Sequence, residues 1–239
     1  MLSIIIPAHN ERENLIKGLS TLSNQIKKLP EKPVEVIVVL SADTSDGSEK
    51  LKVQAPIQII RCKQKGRAVQ MNMGATIARG NIFAFLHADI VPPANFIIDI
   101  FETMRQGYYV GLFSYKFDKS SPLLRINEFF TSKNGLFTGA GDQCLFISKD
   151  TFYDLDRFDE QQTIMEDFKF FEKIKKQRID FKIVNNPLTV SARKYEENSF
   201  LKVNLVNFIL FIMFKMGYSP ESLKATHNTF IKLPNKNYK

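Results

Sequence analysis

The apolar run Ile82-Phe83-Ala84-Phe85-Leu86 ends in His87-Ala88-Asp89. A carboxylate placed directly after such a run is costly unless it meets a cation or hydrogen-bond donors. His87 and Asp89 stand at i and i+2, so in an extended segment both side chains point the same way. A divalent metal suits that pair, taken directly by Asp89 and either directly or through water by His87. Mg²⁺ and Mn²⁺ both fit carboxylate and phosphate oxygens, and a nearby imidazole tilts the choice modestly towards Mn²⁺. The plainer reading makes Asp89 the cap of a helix beginning near Pro92. A second acidic pair, Glu166-Asp167, follows Met165 at the expected start of another helix. There it gains about 0.3–1 kcal/mol from the helix dipole without any chemistry.

Three further polar clusters are Pro7-Ala8-His9-Asn10-Glu11, Ser41 to Ser48, and Gly66-Arg67 through Gln70-Met71-Asn72. Singly, each has a structural explanation: Asn10 as a helix cap, Asp46-Gly47 as a tight turn, Gly66 as a helix start. Their positions say more. Ser3-Ile4-Ile5-Ile6-Pro7, the run 34–40, the run 57–62 and the run 82–86 have the continuous apolar, mostly β-branched or aromatic character of strands buried on both faces. Helices are expected between them over 11–28, with Leu15, Leu19, Leu22 and Ile26 on one face, briefly at 47–53, and over 66–78. This βαβαβαβ order predicts an α/β fold with a mainly parallel sheet, helices on both faces and ligands at the carboxyl ends of the strands. Every polar cluster falls at such an end.

Beyond residue 91 the rhythm loosens. A helix is expected from Pro92-Pro93 to about Arg105, then an alternating strand over 108–117 and another over 144–148. The helix after Met165 carries Phe170, Phe171 and Ile174 on one side, and short strands follow at 181–184 and 188–192, the second at an edge. No Ser/Gly-rich linker interrupts the chain, so 1–239 reads as one domain.

Composition bounds the partners. With 44% apolar and 24% charged residues, 11 Gly and 10 Pro, the chain is globular rather than disordered, fibrous or repetitive. Lys and Arg exceed Asp and Glu by 33 to 25, which favours nucleotides, nucleic acid or an acidic membrane face. Cys62 and Cys144 are isolated, so neither a zinc ribbon nor a disulfide framework is expected, and a reducing cytoplasm fits. No basic leader precedes Leu2 to Pro7, a run too short for a signal-peptide core, so the chain is expected to start at its first strand.

Taken together, Ile4-Ile5-Ile6-Pro7-Ala8-His9-Asn10-Glu11, Asp46-Gly47-Ser48, Gly66-Arg67 through Asn72, Phe85-Leu86-His87-Ala88-Asp89 and Met165-Glu166-Asp167 resemble the family 2 glycosyltransferases of GT-A fold. The likeness is nearest to the small soluble bacterial branch with His-Ala-Asp in place of the usual Asp-x-Asp, and it covers roughly residues 1 to 225. It implies a nucleoside-diphosphate sugar donor, with UDP-sugars favoured, an Mg²⁺ or Mn²⁺ cofactor on the diphosphate, and inversion at the anomeric carbon. Residues 1–91 would form the nucleotide-sugar half and 92–198 the acceptor and catalytic half, followed by apolar helices over 199–228. By the same resemblance Pro7, Ala8, Asn10 and Glu11 line the nucleoside pocket. Arg67, Gln70 and Asn72 approach base, ribose or diphosphate, Ala88 lies against the donor, and Asp89 and His87 serve the metal. Asp167 matches the position of the base that deprotonates the acceptor hydroxyl, and Asp142, after Gly139-Ala140-Gly141, touches acceptor or donor sugar. One departure stands out: Ser41 and Ala42 occupy the places where the family usually has nucleoside-binding Asp, leaving Asp43 to substitute.

Three other functions compete. A catalytically silent nucleotide- or sugar-binding protein on the same fold is consistent with Ser41-Ala42 and the single metal carboxylate. A nucleotidyltransferase would need a Gly- and Lys/Arg-rich phosphate loop near the first strand, which 7–11 lacks. Binding of single-stranded nucleic acid would need exposed aromatic platforms, whereas most of the 21 Phe lie in apolar runs such as Phe129-Phe130 and 208–214, which suit a core or an interface. The segment 200–216 is the most apolar of all. Its unbroken core of seven residues is too short to span a bilayer about 30 Å thick, so a buried helix, a homodimer contact or a peripheral contact with the inner membrane face is expected.

Overall fold

A computed structural model describes residues 1–135 and 138–232. Its centre is a seven-stranded sheet in the order β3-β2-β1-β4-β6-β5-β7. The strands are β1 (Leu2–Ala8), β2 (Val34–Leu40), β3 (Ile57–Arg61), β4 (Ile82–Phe85), β5 (Val110–Phe117), β6 (Phe146–Ser148) and β7 (Phe181–Val190). Strands β3, β2, β1 and β4 are parallel, and β6 alone runs antiparallel to both of its neighbours, while β5 and β7 pair in parallel. This is the mainly parallel α/β architecture expected from the motif order.

The continuous apolar runs are explained by burial on both faces: every residue of β1 and β2 is buried. Ile4, Ile6, Val36 and Val38 pack with Leu15, Leu19 and Leu22 of α1 (Arg12–Lys27) and with Phe96, Ile97 and Ile100 of α3 (Phe96–Arg105). Ile5, Ile37, Val39, Phe83 and Phe85 pack on the other face, against α2 (Arg67–Ile77), α5 (Lys149–Asp154) and α6 (Glu166–Lys176). There Phe85, Phe152, Phe158 and Phe170 meet ring to ring at 4.7–5.5 Å, so these phenylalanines are core, not stacking platforms. Gly74 lets α2 close on β1, since a Cβ there would lie 2.5 Å from Ile5.

Several boundaries differ from the sequence reading. Asn10 does not cap α1. It takes a left-handed φ of 53° and accepts the Ser45 amide, while the first helical N–H, that of Arg12, donates to Asp46 at 2.7 Å. Residues 47–53 form only a single turn, Ser48–Lys50. Helix α3 starts at Phe96, because Val91 is drawn into a two-way bridge with Thr189, so Asp89 caps no helix. The two short strands expected at 181–192 are one edge strand, β7, whose bulge around Asn185 to Pro187 breaks the register between Val184 and Leu188. Strand β6 starts two residues late because Cys144 has a φ of 46°. Past β5 come α4 (Pro122–Thr131) and, at the end, α7 (Phe200–Lys215) and α8 (Pro220–Phe230), with Val203, Val206 and Leu210 of α7 packed on Leu223. Among the described residues, no helix is long and apolar enough to cross a membrane.

Candidate functional site

At the carboxyl ends of β1 and β2, three chain segments meet on Asp43. Ser41 donates to it at 2.6 Å, Lys65 lies at 3.0 Å and His9 at 3.3 Å, and together these hold its carboxyl far below the usual carboxylate range. The loop carrying Asp43 is braced from beneath. Arg61 donates to the Thr44 carbonyl, the Arg12 guanidinium to that of Gly47, and Asp46 accepts from both the amide and the hydroxyl of Ser48. Burial works against the Asp46 charge, yet these hydrogen bonds hold its pKa below the ordinary value. Pro7 and Ala8 are buried at the end of β1, Asn10 joins the two loops through Ser45, and Glu11 accepts from Asn14. The residues the sequence reading named, Pro7, Ala8, Asn10, Glu11 and Asp43, thus come together at this end of the sheet.

The second half of the site is assembled by α6. Met165, at φ 63°, turns the chain so that Glu166 and Asp167 occupy the first helical turn. The Arg67 guanidinium, at the start of α2, reaches Glu166 at 3.1 Å and Asp167 at 3.9 Å. His87 follows β4 and brings Nε2 to 3.9 Å from the Asp167 carboxylate. Gly141 is what allows this approach: a Cβ on it would lie 2.3 Å from Asp167 and 2.4 Å from His87. Burial, then Glu166 and Asp142, push the Asp167 pKa well up, with Arg67 opposing. Burial, then Arg67, push the His87 pKa down, with Asp142, Asp89 and Glu166 opposing. The charges of Asp142 and Asp89 act on Arg67 as well, and with Glu166 and Asp167 they raise its pKa further. Glu166 and Asp167 thus share one guanidinium, on which the charges of Asp142 and Asp89 also act.

Asp89 is partly exposed, and Arg193 lies 3.5 Å from it. Sequence reasoning missed Arg193. The rule that located the other clusters, polar residues just past a parallel strand, would have found it at the end of β7. Glu166, buried and paired to Arg67, was quoted only as part of a motif. Gln70 and Asn72, expected near the donor, turn inward instead. The Gln70 amide donates to the carbonyls of Ala8 and Val39 at 2.9 and 2.6 Å, and that of Asn72 to Phe158 and Glu160, both at 2.9 Å. Both amide groups are spent tying α2 to its surroundings, which aims Arg67 from behind. Ala88 lies between the two motif side chains and is half-buried.

Among the described residues, no three His, Cys, Asp or Glu side chains form a cage for a metal ion. A single partly exposed carboxylate such as Asp89 suits Mg²⁺ or Mn²⁺ only where other oxygens complete the coordination shell.

A sheet of this order, with acidic groups converging at its carboxyl edge, has close counterparts. The profile described as "Glycosyl transferase family 2" matches residues 3–171. The chain belongs to that family. Its sequence is 30% identical over 116 residues to a dolichol-phosphate mannosyltransferase of Pyrococcus furiosus, a match covering 46% of this chain. The chain spans 32% of that relative's length. S. aureus TarS 1-349 superposes with a TM-score of 0.62 at 15% identity, covering 96% of this chain and 70% of that one. The complex of the same protein with UDP-GlcNAc gives 0.63 at 16% identity, covering 96% and 71%. At that identity the likeness is one of fold, and it establishes the GT-A architecture.

Proposed function

We propose that this family 2 glycosyltransferase moves a sugar from a nucleoside-diphosphate sugar to an acceptor hydroxyl with inversion, using Asp167 as base. The observation that carries the reading is the Asp167 carboxylate, buried beside Glu166 and Asp142, with its pKa raised and Gly141 packed against it. A general base works best when its pKa is lifted towards neutrality, and this environment does that. UDP-sugars are the favoured donors, in keeping with the TarS complex with UDP-GlcNAc.

The nucleoside lies against Pro7, Ala8, Asn10, Glu11 and Asp43, and the diphosphate against Ala88 and Arg193, with Gln70 and Asn72 supporting from beneath. A Mg²⁺ or Mn²⁺ held by Asp89 and the donor would offset charge developing on the leaving diphosphate. His87, whose ring is turned to Asp167, would support such an ion through water rather than hold it directly. Asp167 takes the proton of the acceptor hydroxyl, whose oxygen attacks the anomeric carbon opposite the leaving group. Arg67 keeps the Asp167 anion accessible before the reaction, and Asp142 orients the acceptor or the transferred sugar. The test is thermal stability and slow donor hydrolysis with UDP-, GDP- and dTDP-sugars, with and without Mn²⁺ or Mg²⁺. A metal-dependent response, largest for a UDP-sugar, is expected. No metal-dependent response to any nucleotide would remove the enzymatic reading and leave a silent protein on the same fold.

A further inference from the structure

Helix α7 carries two apolar stripes on opposite sides. Val203, Val206 and Leu210 are buried against α8, while Leu201, Leu205, Phe208 and Ile212, at spacings of four, three and four, are exposed to between 40 and 77%. A stripe at helical period left uncovered among the described residues is a candidate interaction surface. Helix α4 repeats the pattern: Leu124 packs inward, and Leu123, Ile126, Phe129 and Phe130 are exposed. The two helices flank Tyr195, which stacks on Phe200 of α7 and accepts a hydrogen bond from Asn127 of α4. Two residues before Tyr195 stands Arg193, the partner of Asp89, so the junction of the two helices is close in sequence to the Asp89 end of the sheet.

Charge selects the occupant. No Asp or Glu occurs between Glu197 and Glu221, a stretch that contains Lys202 and Lys215, of which Lys215 is paired with Glu172 of α6. On α4 the one acid, Glu128, turns inward to accept the Phe117 amide, and Arg125 and the flanking Lys133 remain, the latter over the Phe129 ring at 4.2 Å. A second copy docking through a two-fold axis would set the cations Lys202, Arg125 and Lys133 against their own copies. An anionic bilayer complements them, with the aromatic and aliphatic side chains entering the acyl boundary and the cations resting on headgroups. We propose that the outer faces of α4 and α7 dock the protein on an anionic lipid surface. This inference does not rest on the glycosyl-transfer reading.

The experiment is flotation of the full chain with vesicles of phosphatidylglycerol and phosphatidylcholine, or of phosphatidylcholine alone, beside sedimentation of the free protein. The protein should rise with the anionic vesicles and lose most of that binding on neutral vesicles or at high salt. The exposed pairs Leu205→Ser/Phe208→Ser and Phe129→Ser/Phe130→Ser should each weaken partitioning by about tenfold or more without altering the melting temperature. Lys202→Glu with Arg125→Glu should do the same on anionic vesicles only. Protein that stays down with anionic vesicles, or floats equally in all variants, overturns the proposal. So does a dimer that the serine variants dissolve in the absence of flotation, which would make a second copy the occupant.

Discussion

Two buried carboxylates stand at opposite ends of the sheet and are treated in opposite ways. Glu35, near the start of β2 and 1% exposed, accepts from the Ser3 hydroxyl at 2.7 Å, the Arg79 amide at 2.6 Å and the Arg79 guanidinium at 3.1 Å. Burial pushes its pKa up, but these donors outweigh that and hold it below the ordinary value. Asp167, at the carboxyl end of the parallel strands, has a side chain 12% exposed. It is surrounded by further carboxylates, with one guanidinium 3.9 Å away, and its pKa is driven up. A group given every hydrogen bond it needs is there for the fold. A group left under-compensated by the same fold is available for proton transfer.

The largest effect expected from this contrast is on turnover. Asp167→Asn should lower sugar transfer by about 10²–10⁴-fold, the scale of losing a general base. Its melting temperature should hold or rise, since an unfavourably buried charge is removed. Glu35→Ala should do the reverse, leaving turnover per folded molecule near normal. Because it strands the Ser3 hydroxyl and the Arg79 amide while the Arg79 guanidinium stays in solvent, it should cost about 1–3 kcal/mol in urea unfolding, the scale of leaving a buried donor unsatisfied. A Glu35 variant that loses turnover while staying folded would erase the distinction between the two ends.

The smaller, sharper test is pH. Glu35 has a folded-state pKa below its unfolded one, so its stability contribution is present above the unfolded pKa and is lost as pH falls through the folded value. Asp167 has a raised folded-state pKa, so its contribution is present below the unfolded pKa and is lost as pH rises through the folded value. Urea titrations across pH should therefore lose part of their acid slope in Glu35→Gln and part of their slope above the ordinary carboxylate range in Asp167→Asn. Turnover of the unaltered protein should climb over that same upper window, as the base becomes ionised.

The same contrast accounts for what could be read from the chain. The strands β1, β2 and β4, and the helix faces of α1 and α6, were legible because burial on one or both faces writes itself into local apolar runs and spacings. His87, Asp89 and Asp167 were legible because a charged residue after an apolar run, or within a recognised motif, stands out. What was not legible depends on partners distant in sequence. Val91 is taken by Thr189, so α3 starts late, and Asp46 supplies the cap assigned to Asn10. Gln70 and Asn72 look like ligand-binding amides until Ala8, Val39 and Phe158 are seen to occupy them. Arg193 meets Asp89 across 104 positions of sequence, so its place just past β7 marks it as a site residue while its partner stays unread.

The most direct test of Asp167 as base is to measure donor affinity and turnover on one preparation of Asp167→Asn, with metal present throughout. Donor affinity within about threefold of the unaltered protein, together with turnover reduced by at least about 10²-fold, is the predicted result. Undiminished turnover would contradict it and move the base elsewhere, with Asp142 next in line. Loss of donor binding in step with turnover would instead make Asp167 part of the donor site.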